Sequence, residues 1–419
     1  MGSRTFSSRA GMILALVLAA AMQAAAQRET ILHEFPTGQD DGVGDYAGLV
    51  RDAAGNLYGA TASGGSYGVG TVYMLSPRSG GGWSETILHE FNNNYIDGGL
   101  PLASVVLDAE GNVYGTTRVG GAFDLGTVYE ISPKAGGGWY EKVLHSFSGS
   151  PNDGNDPFSP LVIDSSGNLY GTTIAGGESN EGIVFQMKPM PDGSWDVKIL
   201  HNFPALCCRE IDGSIPYGGL TLDKAGNLYG TTIVGGASNG GVVFELSPTS
   251  GWSWAEKVLH SFGATPTDGY SPYAGVTLDS HGNLYGTTTE GGNCPGYGCG
   301  TVFELIPTST GLWHEGILHN FTPGQNSEGG VPYGGVVLDG AGNLYGTTTG
   351  GGAYNGGIVF ELSPLDGGWN ETILYAFDLG VIDGMGPHAG VILDARGNIY
   401  GTTVDGGTLG GGVVFEITP

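Results

Sequence analysis

The chain has 419 residues, 81 of them Gly, with 40% hydrophobic residues and a net charge of −27. That apolar fraction is enough for a core, which excludes a disordered low-complexity chain, and so much Gly without a collagen triplet points to many turns and tight backbone contacts. With 14 basic against 41 acidic residues, nucleic acid and anionic lipid surfaces are set aside as partners, because phosphate binding needs clustered Lys and Arg.

Residues 1–26 read as a secretory signal peptide. Arg4 and Arg9 form a basic start, residues 12–22 are apolar, and Ala24-Ala25-Ala26 fits a small-residue cleavage site that leaves Gln27 first. The apolar run is short for a membrane span, and no later stretch approaches that length. The expectation is a bacterial exported chain (periplasmic, secreted or surface-exposed) with no stable membrane insertion after cleavage and one domain over 27–419. An uncleaved anchor is the competing reading.

Residues 29–35, Glu-Thr-Ile-Leu-His-Glu-Phe, then read as a strand. From there the phrase Gly-Asn-Leu-Tyr-Gly-Thr-Thr recurs with small variations. It begins at Gly55, Gly111, Gly167, Gly226, Gly282, Gly342 and Gly397, at spacings of 56, 56, 59, 56, 60 and 55 residues. A period this regular marks one supersecondary unit stacked repeatedly. In the unit around Gly226, four strand-like runs follow in order: 219–223, 226–232, 241–246 and 254–262. β-branched and aromatic residues fill them, and Gly, Pro, Asp and Asn punctuate them. Helix-period patterning is absent outside the signal segment.

Four antiparallel strands per unit, repeated radially, predict an all-β fold: a seven-bladed β-propeller. The ends support closure. The seventh unit stops after its third strand, at Val413-Val414-Phe415-Glu416-Ile417, and its missing fourth strand is the N-terminal run 29–35. Pairing the two would remove both exposed edges.

The repeat Leu-x-Leu-Asp-x-x-Gly-Asn-Leu-Tyr-Gly-Thr-Thr-x-x-Gly-Gly, followed by Gly-Thr-Val-Phe-Glu-Leu, is clearest at 220–246 and 336–362. It resembles the GloVer tandem repeat of exported "choice-of-anchor" bacterial proteins. The resemblance implies a secreted or surface-exposed repeat protein and carries no assigned activity. Such proteins are often tethered by C-terminal anchors, and this sequence shows none before Pro419. Its blades also look like those of NHL and gluconolactonase-like propellers, a likeness of fold rather than chemistry.

Residues present in every unit serve the fold first, and unit-specific residues are the candidates for chemistry. The fourth-strand His33, His89, His145, His201, His260 and His319, with Tyr375 in the remaining slot, are expected to bond neighbouring loops. Asp52 and its counterparts before each Gly-Asn carry turn chemistry. A second acidic series precedes each first strand. With unit-specific extras it offers Asp40, Asp41, Asp45, Asp153 and Asp156 as weak candidates for Ca2+, the one cofactor considered.

The residue two before the first-strand Gly forms a ring of ligand-binding candidates: Tyr46, Phe158, Tyr217, Tyr273, Tyr333 and His388, with Leu102 in the second unit. Around one channel mouth they could stack on a sugar or another planar ligand. Inter-blade packing is the alternative role. The loop tips Tyr67, Phe123, Asp124, Tyr297 and Tyr354 should share that face.

Cys207, Cys208, Cys294 and Cys299 are disulfide candidates in an exported chain, with a local Cys294–Cys299 bridge and cross-pairing both open. No catalytic motif is present, so no catalytic residue is assigned. Arg118, Arg209, Glu210 and His388 are non-repeated polar residues on the expected top-face loops and the first places to look for a catalytic cluster. The leading reading is a non-enzymatic binding module for a carbohydrate or protein ligand. The rival is a propeller hydrolase or lyase acting on a saccharide or lactone.

Overall fold

A computed structural model describes residues 28–37, 42–44, 46–92, 94–205, 212–250, 253–265, 267–293, 299–322, 328–379 and 383–418. The signal segment, Asp40, Asp41, Asp45, Cys207, Cys208, Arg209, Glu210, Cys294 and Tyr297 lie outside them. No helix occurs among the described residues, so none is long and apolar enough to cross a membrane. Seven four-stranded antiparallel sheets form the blades of a propeller.

The repeated phrase folds the same way each time because each of its letters has a partner. In the fourth blade the Asp223 carboxylate accepts from the Asn227 backbone N–H and side-chain amide, both at 2.8 Å, and from the Tyr229 hydroxyl at 3.3 Å. Gly226 closes that turn at φ +89°, a conformation that favours glycine. Leu228 is buried in the core. Gly230 lies under the Phe244 ring, and a Cβ there would sit 2.5 Å from Cζ. Thr231 Oγ1 donates to the Ala274 carbonyl of the next blade at 2.8 Å. Thr232 Oγ1 donates to Val234 O at 2.8 Å and caps the strand end within its own blade. Burial alone would raise the turn carboxylates of Asp52, Asp164, Asp279, Asp339 and Asp394. Hydrogen bonds from the following Asn and its neighbours hold them below the usual range instead.

Blades meet through aromatic rings. The Phe that ends each outer strand packs edge-on against the third-strand ring of the next blade, as Phe203 does on Phe244 at 5.4 Å. Phe35–Tyr73, Phe91–Tyr129, Phe147–Phe185, Phe262–Phe303, Phe321–Phe360 and Phe377–Phe415 repeat the contact at 5.0–5.3 Å. The strand Arg28–Pro36 pairs antiparallel with Gly410–Thr418. It carries a register shift between Ile31 and His33, at the place where the other outer strands carry theirs, for example opposite Val243/Phe244. The N-terminal strand is therefore the outer strand of the seventh blade, as the sequence predicts.

The innermost strands are shorter than the sequence suggests. Each is a two-residue ladder such as Thr221–Leu222 rather than the full run 219–223. The residues before it are packed on neighbouring blades: a Cβ on Gly275 would sit 2.2 Å from the Gly219 carbonyl oxygen. Contact around the axis there replaces pairing within the blade.

Deleting 28–36 exposes the third strand of the last blade and uncovers Tyr73. A loss of more than about 10 °C in melting midpoint is expected, several kcal/mol of lost packing and pairing; an unchanged midpoint in a thermal melt would contradict the closure. Gly230→Ala is expected to cost about 1–3 kcal/mol through overpacking on Phe244, and Phe244→Leu in the same chain to recover part of that. Chemical denaturation of the two variants against the parent checks this.

Candidate functional site

The two-residue inner strands bring the segments just before them to one end of the axis, around a cavity of about 640 Å3. Its lining includes Tyr46, Leu102, Phe158, Tyr217, Tyr273, Tyr333 and His388. The six rings touch in sequence. Phe158–Tyr217, Tyr217–Tyr273 and Tyr273–Tyr333 have centroids 4.2, 4.9 and 5.1 Å apart. His388 stacks on Tyr333 at 4.8 Å and meets Tyr46 edge-on at 5.2 Å. The necklace is interrupted at Leu102. Tyr46 is 42% exposed, and the other rings are half-buried. They pack on one another and line the cavity at once.

Burial holds the His388 imidazole below its ordinary range, opposed by the Asp405 carboxylate, so the ring is neutral at pH 7. Burial, then the neighbouring Tyr273, push the Tyr217 phenol up, with Arg118 opposing. The mouth is thus a largely uncharged aromatic surface on an acidic protein.

One charged pair breaks that uniformity. Arg118 Nε and Nη2 donate to Asp156 Oδ1 and Oδ2 at 2.7 and 3.3 Å, and the guanidinium lies 5.9 Å from the Phe158 centroid. Asp156 is held at φ +60°, and its carbonyl accepts the Ile174 N–H. The pair therefore stands beside the break in the necklace. The sequence flags Arg118 and Asp156 separately; their pairing, across 38 positions, requires the ring.

The loop tips are on the same end, since the loop before each inner strand pairs with the loop after the second strand, as Gly154 does with Gly176. Tyr67, Phe123 and Tyr354 are exposed there. Of the Ca2+ candidates within the described residues, Asp156 is engaged by Arg118. Asp153 accepts from the Ser148 and Gly154 N–H groups and lies 3.0 Å from His145 Nε2. Cys299 is buried.

A second constellation lies at the rim, where the His series and the second acidic series meet. His89, His145 and His201 stand 3.1, 3.0 and 3.0 Å from Asp97, Asp153 and Asp212. At the seams of His89, His260 and His319 a Glu from the next blade's outer strand stands beside the His and the acidic loop residue. Glu315 is 3.4 Å from His260, and Glu371 is 3.7 Å from His319. In the closing strand, Glu29 faces Tyr375 and Asp383: the Tyr375 hydroxyl is 3.4 Å from Glu29 Oε2 and 3.0 Å from Asp383 Oδ2. Sequence reasoning passed over these glutamates. The signal was present: Glu stands two after the strand's first Trp in Trp83, Trp139, Trp254, Trp313 and Trp369, with Val197 after Trp195.

Fold and mouth together define a seven-bladed β-propeller with an aromatic axial cavity. The chain belongs to the Gloeobacter/Verrucomicrobia repeat family, whose model matches residues 18–210 and again 191–415. No curated protein matches the chain. Solved structures of similar fold include the extracellular domain assigned to a hybrid two component system of B. thetaiotaomicron, with TM-score 0.54, 13% identity, and coverage of 93% of this chain and 41% of that one. An ancestral GH74 enzyme gives TM-score 0.56 at 14% identity, covering 90% and 48%. A polysaccharide lyase, the PL25 ulvan lyase, gives 0.56 at 11%, covering 92% and 95%. The chain spans under half the length of the first two. At these identities the likeness is one of fold.

Burial, then the nearby Asp383 charge, push Glu29 up to about 7, against the Tyr375 hydrogen bond. Its folded value exceeds its unfolded one, so its contribution is fully present below about pH 4.5 and is lost as pH rises through about 7. Glu29→Gln should leave the melting midpoint unchanged at pH 4 and raise it at pH 8. Parallel thermal melts of parent and variant decide this; identical midpoints at pH 8 would contradict it.

Proposed function

We propose that the protein is an exported, non-enzymatic binding module that takes a neutral saccharide at the aromatic mouth of its axis. The carrying observation is the necklace Phe158–Tyr217–Tyr273–Tyr333–His388–Tyr46 around the cavity. Aromatic faces suit the apolar faces of sugar rings, and the Arg118–Asp156 pair beside Phe158 supplies a donor and an acceptor for hydroxyls. A net charge of −27 and a neutral His388 favour an uncharged ligand over an anionic one. Export is supported by the leader-like residues 1–26 and by the extracellular origin of one propeller of similar fold.

Two of the similar folds bear names of carbohydrate-active enzymes, which keeps the hydrolase or lyase reading as the rival. That reading calls for a carboxylate pair at the mouth. Of the carboxylates beside the rings, Asp156 is committed to Arg118, while Asp405 and Glu290 act on His388 and Tyr273.

Neutral oligosaccharides titrated into the purified protein by calorimetry, after a glycan-array screen, test the proposal. Each ring is expected to contribute about 0.5–1.5 kcal/mol, so the Tyr217→Ala, Tyr273→Ala double variant should bind about tenfold or more weakly. Equal affinity in parent and double variant, or no glycan bound, would contradict the assignment. Turnover of the bound glycan would favour the rival.

A further inference from the structure

The rim seams carry chemistry that neither the fold nor the mouth uses. At three of them the ligand atoms of a His, an acidic loop residue and a Glu of the next blade all lie within 4.8 Å of one another: His89, Asp97 and Glu141; His260, Asp268 and Glu315; His319, Glu328 and Glu371. In the last of these sets the Glu371 side chain is nine-tenths buried, at 10% exposure, and the His319 side chain is 17% exposed. Glu371 Oε1 and His319 Nε2 are buried atoms without a hydrogen-bond partner. Glu328 is steadied by the Thr322 hydroxyl, which donates to its Oε2. A buried imidazole nitrogen and a buried carboxylate oxygen, 3.7 Å apart and both lacking a hydrogen-bond partner, are costly unless something binds between them.

We propose that these three seams are binding sites for a divalent transition-metal ion of the zinc class, each clipping one blade to the next. The donor set selects the ion. One imidazole and two carboxylates from three chain segments supply the number of protein ligands an open zinc site takes, with a carboxylate in place of one imidazole of the His2Glu set. An imidazole ligand disfavours Ca2+ and Mg2+, which take oxygen. Zinc–ligand bonds of about 2.0–2.2 Å would draw the three donors together by side-chain movement of roughly 1 Å. Zn2+ should outrank Mn2+ in affinity.

The molecule contains its own controls. The seam of His145 and Asp153 has Val197 in the Glu slot, so it offers two donors, and the seam of Asp383 and Glu29 has Tyr375 in place of His. Both hold together without a third metal-type ligand, so the proposed ions add to the ring contacts and do not replace them. The sites lie at separate seams around the rim and are independent of the ligand proposed for the mouth.

The test uses the full chain stripped of metal with a chelator. ZnCl2, MnCl2 and CaCl2 are each titrated by calorimetry, bound metal is counted by elemental mass spectrometry after desalting, and melting midpoints are recorded with and without each ion. The expected results are retained zinc, a midpoint raised by several degrees with Zn2+, a smaller rise with Mn2+ and none with Ca2+. Glu371→Gln preserves shape and should remove one zinc equivalent while leaving the metal-free midpoint no lower. His319→Asn should do the same if the first variant fails to fold. His145→Asn should leave the zinc count unchanged. The proposal is overturned if the parent retains no zinc, if Glu371→Gln and His319→Asn retain as much as the parent, or if His145→Asn loses as much as Glu371→Gln. Carboxyls that share a proton at the seams would give the first of these results.

Discussion

The structure depends on one contact: a phenylalanine from the outer strand of one blade laid edge-on against the third-strand ring of the next, over a strand with no side chain at that point. Glycine is required beneath the ring because a Cβ at Gly230 or Gly286 would stand 2.5 Å from the ring carbon above it. The ring is thereby gripped from both sides, by its own blade and by its neighbour. Neither blade can bury its face alone, which makes the unit stable only as part of a closed set. Phe35 against Tyr73 shows the same geometry as the internal seams, so closure needs no special device. It needs the first strand of the chain to be the outer strand of the last blade.

Hydrogen bonds place the blades that the rings hold together. The first Thr of the phrase donates to a carbonyl of the next blade at Thr116, Thr172, Thr231, Thr287, Thr347 and Thr402. The first blade has Ala60 in that slot. At its seam Ser104 Oγ accepts the Gly48 N–H at 2.7 Å, a different bond serving the same junction. These bonds fix where the segments before the inner strands stand around the axis, and so fix the spacing of the mouth rings. The Thr that reads as ordinary strand filler is what sets the geometry of the cavity.

Much of this was legible in the sequence, for a physical reason. A residue repeated at a fixed place in each unit lands at a fixed place on each blade, so Tyr217 and Tyr273 had to be neighbours once a ring was inferred. The same logic placed the histidines on separate seams. What was not legible lay between units. The Arg118–Asp156 pair joins two loops whose approach depends on blade angle. The seam glutamates sit in strands whose alternation already accounted for them, and nothing in a strand pattern says which neighbour a side chain will meet across a blade boundary. The inner strands were overestimated for a similar reason: alternation at 219–223 reports burial, and burial there comes from adjacent blades rather than from strand pairing.

The central claim is a ring closed by its own first strand, and native-state hydrogen exchange measures it most directly. The amides of 28–36 that face Gly410–Thr418 should be protected as strongly as those of an internal outer strand such as Trp313–Asn320, and should open together with it. Rapid exchange confined to the N-terminal strand, with the internal outer strands still protected, would contradict the account.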